Sequence, residues 1–91
     1  MRKQNANVIG KFLLREKATS PVRNIKEDYH VYKGASISTD GTRLWSYNTI
    51  IAQWGGDTVL INNTKYSNTT TMQQHDLRNM CKMLKVKTAE M

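Results

Sequence analysis

Apolar residues recur with a helical period near the start of the chain and with a strand period through its middle. Val8, Ile9, Phe12 and Leu13 stand at i, i+1, i+4 and i+5, one stripe of a helix whose other side carries Lys11, Arg15 and Lys17. Asn7 suits the N-cap position. Thr19-Ser20-Pro21 ends the helix, because the residue before a proline is pushed out of the α region. From Tyr29 the period becomes two: over residues 30–38, Val31, Lys33, Ala35 and Ile37 share one face, and His30, Tyr32, Ser36 and Ser38 the other. Thr39-Asp40-Gly41-Thr42 reads as a hairpin turn, since Asp-Gly tolerates the positive φ angles of type I′. A second strand is predicted from Arg43 to about Tyr47, continuing through a bend at Asn48 over residues 49–54. Gly55-Gly56-Asp57 then turns the chain into a strand over 58–62, and Asn62-Asn63-Thr64 turns it into a short last strand at 65–67.

A helix over residues 71–85 follows. Thr71 with Gln74 three residues on has the form of a capping box. Leu77, Met80, Cys81 and Leu84 make an apolar stripe at i, i+3, i+4 and i+7, with Asp76 early and Lys82 and Lys85 late, as the helix dipole favours. The sum is an α+β fold: an antiparallel meander of three or four strands, packed by the C-terminal helix, with the short N-terminal helix on the same face or at its edge. Residues 1–91 form a single domain, with 1–7 and 87–91 as flexible ends. A chain of 91 residues buries roughly 60–65% of the surface its unfolded form exposes, so the core must be thin.

Composition narrows the function classes. At 38% hydrophobic and 23% charged the chain suits a folded, rather polar domain. No apolar run approaches the ~18 residues of a membrane span, and the opening residues lack the apolar centre of a secretory signal. The single cysteine forms no internal disulfide, which points to a reducing, cytoplasmic setting. Charge is uneven: residues 1–26 carry seven bases and one acid (+6), residues 27–77 three bases and five acids (−2), and residues 78–91 four bases and one acid (+3), which sums to +7. Basic ends around a near-neutral middle suit attraction to anions, and equally a solvated surface.

Three sets of residues carry candidate chemistry. Arg43, Trp45 and Tyr47 alternate onto one strand face, where a cation beside two rings is what a single-stranded nucleic acid needs; the same rings could instead cover the thin core. Ser67, Thr69, Thr70 and Thr71 cluster hydroxyls at a helix start. They suit either an anion site or the satisfaction of their own backbone. Lys11, Arg15, Lys65, Arg78, Lys82 and Lys85 complete the basic set for nucleic-acid or partner binding. Catalytic chemistry finds little footing. Cys81 and His75 lie six residues apart, roughly 240° around a helix, and cannot pair. His30, His75, Asp76 and Cys81 show no zinc-ligand spacing, and no glycine-rich phosphate loop occurs. A protein without enzymatic activity, cofactor or metal is expected.

Two segments carry a resemblance. Ser46-Tyr47-Asn48-Thr49-Ile50-Ile51-Ala52 resembles S-Y-x-T-x-[IV]-A, and Tyr66-Ser67-Asn68-Thr69-Thr70-Thr71-Met72-Gln73-Gln74 resembles Y-S-x-T-T-[ST]-K-H-Q. Together they look like a group of small uncharacterised proteins of bacteriophages and other mobile elements, over about residues 44–78. Met72 stands where that group often has lysine, and Gln73 where it often has histidine. The resemblance implies an α+β fold and a phage or mobile-element origin, and no catalytic activity. The function expected is that of a small non-enzymatic phage protein in the host cytoplasm. It would bind host nucleic acid or a nucleic-acid-handling complex, such as a CRISPR effector, as an inhibitor of host defence of the anti-CRISPR type. The alternative is a virion assembly protein that self-associates through its sheet edge or through Met72, Met80 and Met83; monomer and dimer are both compatible with the sequence.

Overall fold

The polar residues ahead of the first apolar stripe are already helical in the computed structural model, which describes residues 3–19 and 36–91. Helix α1 runs Lys3–Leu13 and buries Val8, Ile9 and Phe12. It therefore starts before Asn7 instead of being capped by it, and most of the expected flexible stretch 1–7 is its first turns. A tertiary bond holds that polar start: the buried Asn5 amide donates to the Asp76 carboxylate at 3.1 Å, on the second helix.

Both helices end in the same way. After α1, Arg15 adopts φ 60°, its N–H donates to the Phe12 C=O at 2.9 Å, and the Glu16 N–H reaches the Lys11 C=O at 2.8 Å. After α2 (Asn68–Met83), Lys85 adopts φ 57°, its N–H donates to the Lys82 C=O at 3.3 Å, and the Val86 N–H reaches the Cys81 C=O at 2.9 Å. These are Schellman ends with a cation where glycine is usual. The side-chain contact that accompanies the motif is apolar in α2, where Cys81 and Val86 join the core. In α1 it is ionic, with Lys11 Nζ 3.1 Å from Glu16 Oε1.

Each ending delivers the chain into an edge strand. The strands are β1 (Lys17–Thr19), β2 (Ser38–Asp40), β3 (Arg43–Ser46), β4 (Thr49–Gly55), β5 (Thr58–Ile61) and β6 (Lys87–Glu90), side by side in that order in one sheet. All neighbours are antiparallel except β5 and β6, and the crossover that a parallel pair requires is α2. On the helix-covered face the paired positions Ala18, Thr39, Leu44, Ala52 and Ile61 form a row under α1 and α2. The core joins this row to Val8, Ile9, Phe12, Ile37, Ile51, Val59, Leu77 and Cys81. Between Leu44/Ala52 and Trp45/Ile50 the register slips by one residue, leaving Ile51 as the bulge. That slip lets Ile51 and Ala52, adjacent in sequence, both be buried.

The α+β class stands, but among the described residues the sheet has six strands and is mixed, where an antiparallel sheet of three or four strands was expected. The tail at 87–91 is β6, and Lys17–Thr19 is β1. Neither segment has an apolar alternation; backbone pairing to a neighbour that does bury its side chains makes them strands. Tyr47-Asn48 is a full reversal between β3 and β4, closed by the Ser46↔Thr49 pair, in place of a bend within one strand. Tyr47 adopts φ 54° there. Residues 65–67 form no strand; residues 62–67 connect β5 to α2. The strand read over 30–38 lies outside the described residues up to 35 and is described only from Ser38 onward, as β2.

In the β2–β3 hairpin, positive φ falls on Gly41 alone (96°), so the turn is not the type I′ expected. A Cβ at Gly41 would stand 2.6 Å from the Arg15 C=O, so close approach as well as φ requires glycine. The Asp40 carboxylate accepts from the N–H groups of Thr42 at 2.9 Å and Arg43 at 2.8 Å. Burial pushes the Asp40 carboxyl up, but these two donors and the Arg43 charge outweigh it and hold the carboxyl below its ordinary value.

Candidate anion-binding groove

Helix α2 begins one residue after its hydroxyl cluster does. Ser67 is the N-cap, with extended backbone (φ −149°), and its Oγ accepts from the Thr70 N–H at 3.2 Å. The helix therefore starts at Asn68, and Thr71 lies inside it, its N–H bonded to the Ser67 C=O at 2.9 Å. Thr70 is buried and shares a 2.9 Å hydrogen bond with Ser46 on β3, tying the helix start to the sheet. Of the four predicted anion-site residues, Ser67 and Thr70 are thus engaged within the fold; Thr69 is half-buried and Thr71 exposed. Gln74, read as half of a capping box, is buried and donates to the C=O groups of Asn62 at 2.6 Å and Thr64 at 3.0 Å. It anchors the 62–67 connection.

The strand set separates as well. Leu44 and Ser46 take the buried face of β3, leaving Arg43 exposed and Trp45 half-buried on the helix-free face, with Trp45 opposite Ile50. Tyr47 sits in the turn, half-exposed, and does not share their face. Trp54, not Trp45, covers the core: its indole N–H donates to the Phe12 C=O at 2.9 Å, and its ring centroid lies 5.9 Å from that of Phe12.

The basic residues divide by what they touch. Arg15 lies over Trp54, with Cζ 4.0 Å from the ring centroid, and donates to the Gly56 C=O. Lys11 pairs with Glu16 and Lys87 with Asp57. The Lys87 charge, with the Thr58 hydroxyl, holds the Asp57 carboxyl below its ordinary value. Lys65 is exposed on the connection before α2. Among the described residues, Arg78, Lys82 and Lys85 face no carboxylate within ion-pair distance.

Two of those three are brought together. Arg78 and Lys82, one turn apart on α2, form one wall of an open groove of about 530 Å³ between that helix and the β5–β6 end of the sheet. Ile61 and Val86 supply its apolar part, and Asn63, Thr88, Ala89 and Glu90 complete it. A polar chain closes one side: Arg78 donates to the Asn63 side-chain oxygen Oδ1, and the Asn63 side-chain amide donates to Glu90 Oε1 at 2.9 Å. Glu90 is therefore already engaged, and Lys82 is left to attract an anion. Asn63, Val86, Thr88 and Glu90 were not legible as site residues, because only the parallel pairing of β6 brings them beside α2.

Among the described residues two helices cover one face of the sheet, and the groove lies at its β5–β6 end. A family described only as one of unknown function, DUF8033, matches residues 20–90, and the chain belongs to it. No curated protein and no solved structure matches the chain. Among the described residues no helix is long and apolar enough to cross a membrane, and no three His, Cys, Asp or Glu side chains converge as a metal site would need.

Proposed function

We propose that this protein is a non-enzymatic binding module that holds an anionic partner in the groove between α2 and β6. The partner is a nucleic acid or a protein of a nucleic-acid-handling complex. One observation supports this reading above the others: Lys82, beside Arg78, stands at an open groove with no carboxylate partner among the described residues, whereas Lys11 pairs with Glu16 and Lys87 with Asp57. A cation left unpaired beside apolar surface gains most from an incoming anion. The reading extends, on the motif resemblance alone, to a phage protein that inhibits host defence in the anti-CRISPR manner by occupying a site meant for DNA or RNA. Fluorescence-anisotropy titration against single- and double-stranded DNA and RNA tests the nucleic-acid arm. Binding there should weaken steeply with salt, with a log–log slope of about −0.9 for each phosphate contacted on duplex DNA.

A second reading, self-association, is favoured by the apolar end of α2, where Met83 is 75% and Leu84 59% exposed. Light scattering across a concentration series separates it, because a dimer would bury these side chains and a binding module would remain a monomer.

A further inference from the structure

We infer that the groove takes its partner as an added strand: an extended acidic peptide pairs with the free edge of β6 and sets carboxylates against Arg78 and Lys82. The inference rests on the proposed binding role of the groove and names the partner's chemistry.

The first support is the backbone. Among the described residues strand β6 is the last of the sheet and pairs with β5 alone, and it is exposed at all four residues. The Met91 N–H donates to the Ile61 C=O at 2.9 Å. Peptide groups alternate in direction along a strand, so Lys87, Ala89 and Met91 bond inward, and Thr88 and Glu90 turn their N–H and C=O groups outward. Among the described residues no backbone group answers them. A row of unanswered donors and acceptors is what an incoming strand pairs with.

The second support is where the side chains would go. Thr88 is paired with Val59 and Glu90 with Ile61, and Val59 and Ile61 point to the helix-covered face. Thr88 and Glu90 therefore face that side, and both line the groove. A strand added outside β6 would send every second side chain to the same side, toward the α2 wall with Arg78 and Lys82. Side chains in between would fall to the helix-free side beyond Ala89 and Leu60, which are paired there. The matching sequence has acidic residues two apart with small or apolar residues between them.

The third support separates a peptide from a nucleic acid. Glu90 stands in the groove, held by Asn63, and would repel a continuous run of phosphates. A peptide can place a carboxylate at Lys82 and a neutral residue beside Glu90. A phosphodiester chain has no such choice.

The test is a labelled synthetic peptide carrying two glutamates two residues apart within otherwise alternating threonine and valine, titrated into the full chain beside a control peptide with lysines in place of the glutamates. The acidic peptide should bind and the basic one should not, and Lys82→Glu should weaken binding at least tenfold. Amide hydrogen exchange should slow at Thr88 and Glu90 in the complex and remain unchanged at Lys87 and Ala89. Thr88→Pro removes an outward N–H without touching the β5 ladder, so it should abolish binding while circular dichroism and Tm stay near wild type. No binding of the acidic peptide, or binding that leaves Thr88 and Glu90 exchange unchanged, overturns the inference. If nucleic acid binds through Arg78 and Lys82 while the acidic peptide does not, the groove reading survives and the added strand fails. If neither binds, both fail.

Discussion

Arg15 lies over Trp54, its Cζ 4.0 Å from the ring centroid, and donates to the Gly56 C=O, clamping the end of α1 to the β4–β5 turn. It does so from a left-handed backbone conformation that a non-glycine residue enters only at a cost. Lys85 has the same conformation at the end of α2, with its side chain exposed.

The pair gives a matched comparison. Lys85→Gly should stabilise the fold by about 0.5–1 kcal/mol, the relief of left-handed strain less the added unfolded-chain entropy of glycine. In thermal unfolding that raises Tm by about 2–8 °C. Arg15→Gly gains the same relief but loses the ring contact and a hydrogen bond, together about 1–2 kcal/mol. Its Tm should therefore be unchanged or lower. Equal increases in both variants would show that the Arg15–Trp54 contact adds no stability.

Asn5 is the only neutral donor to Asp76 among the described hydrogen bonds, and both residues are buried. Asn5→Ala leaves that carboxylate without its donor and should destabilise by about 1.5–3 kcal/mol, read as a shift in denaturant midpoint at constant m-value. Asn7→Ala, at an exposed position of the same helix, should change stability little.

Asp40 gives an acid-dependent contribution. Its folded carboxyl lies below the ordinary value, with burial opposing the shift and the Arg43 and Thr42 N–H groups producing it. A group depressed in the folded state stabilises fully above its unfolded pKa of about 3.9, and that stability is lost as pH falls through the lower folded value. Asp40→Asn keeps an acceptor without the charge, so it should reduce the loss of stability between pH 5 and the acid limb, measured by urea unfolding at a series of pH values.

Cys81 is buried in the core, and burial pushes its thiol up from the ordinary value. Thiol reagents act on the thiolate, so the native protein should react with an aromatic disulfide far more slowly than the urea-unfolded chain. Similar rates in both would contradict its place on the buried stripe.

Legibility in the sequence followed burial. The central meander was readable because Leu44, Ile51, Ala52, Val59 and Ile61 are apolar and bracketed by Asp40-Gly41 and Gly55-Gly56. The helix stripe was readable through Leu77 and Cys81 for the same reason. The edge strands were not, because Lys17-Ala18-Thr19 and Lys87-Thr88-Ala89-Glu90 bury almost nothing and become strands only through pairing. The start of α1 was hidden by its polarity, which answers to Asp76, 71 residues away. The groove was half legible: Arg78 and Lys82 stood out as basic residues, but Asn63 and Glu90 join them only through the parallel register of β6 with β5.

In the proposed function, Arg78 and Lys82 at the α2–β6 groove, and not the N-terminal cations, hold the partner. That assignment is tested most directly by titrating wild type, the Arg78→Ala/Lys82→Ala pair and Lys11→Ala against the same labelled DNA, RNA and acidic peptide at low and physiological salt. The paired variant should lose at least tenfold in affinity for whichever ligand binds; if that ligand is duplex DNA, its salt slope should also fall by about 2. Lys11→Ala should bind as wild type does. Equal affinities for the paired variant and wild type, or a greater loss in Lys11→Ala, would contradict the account.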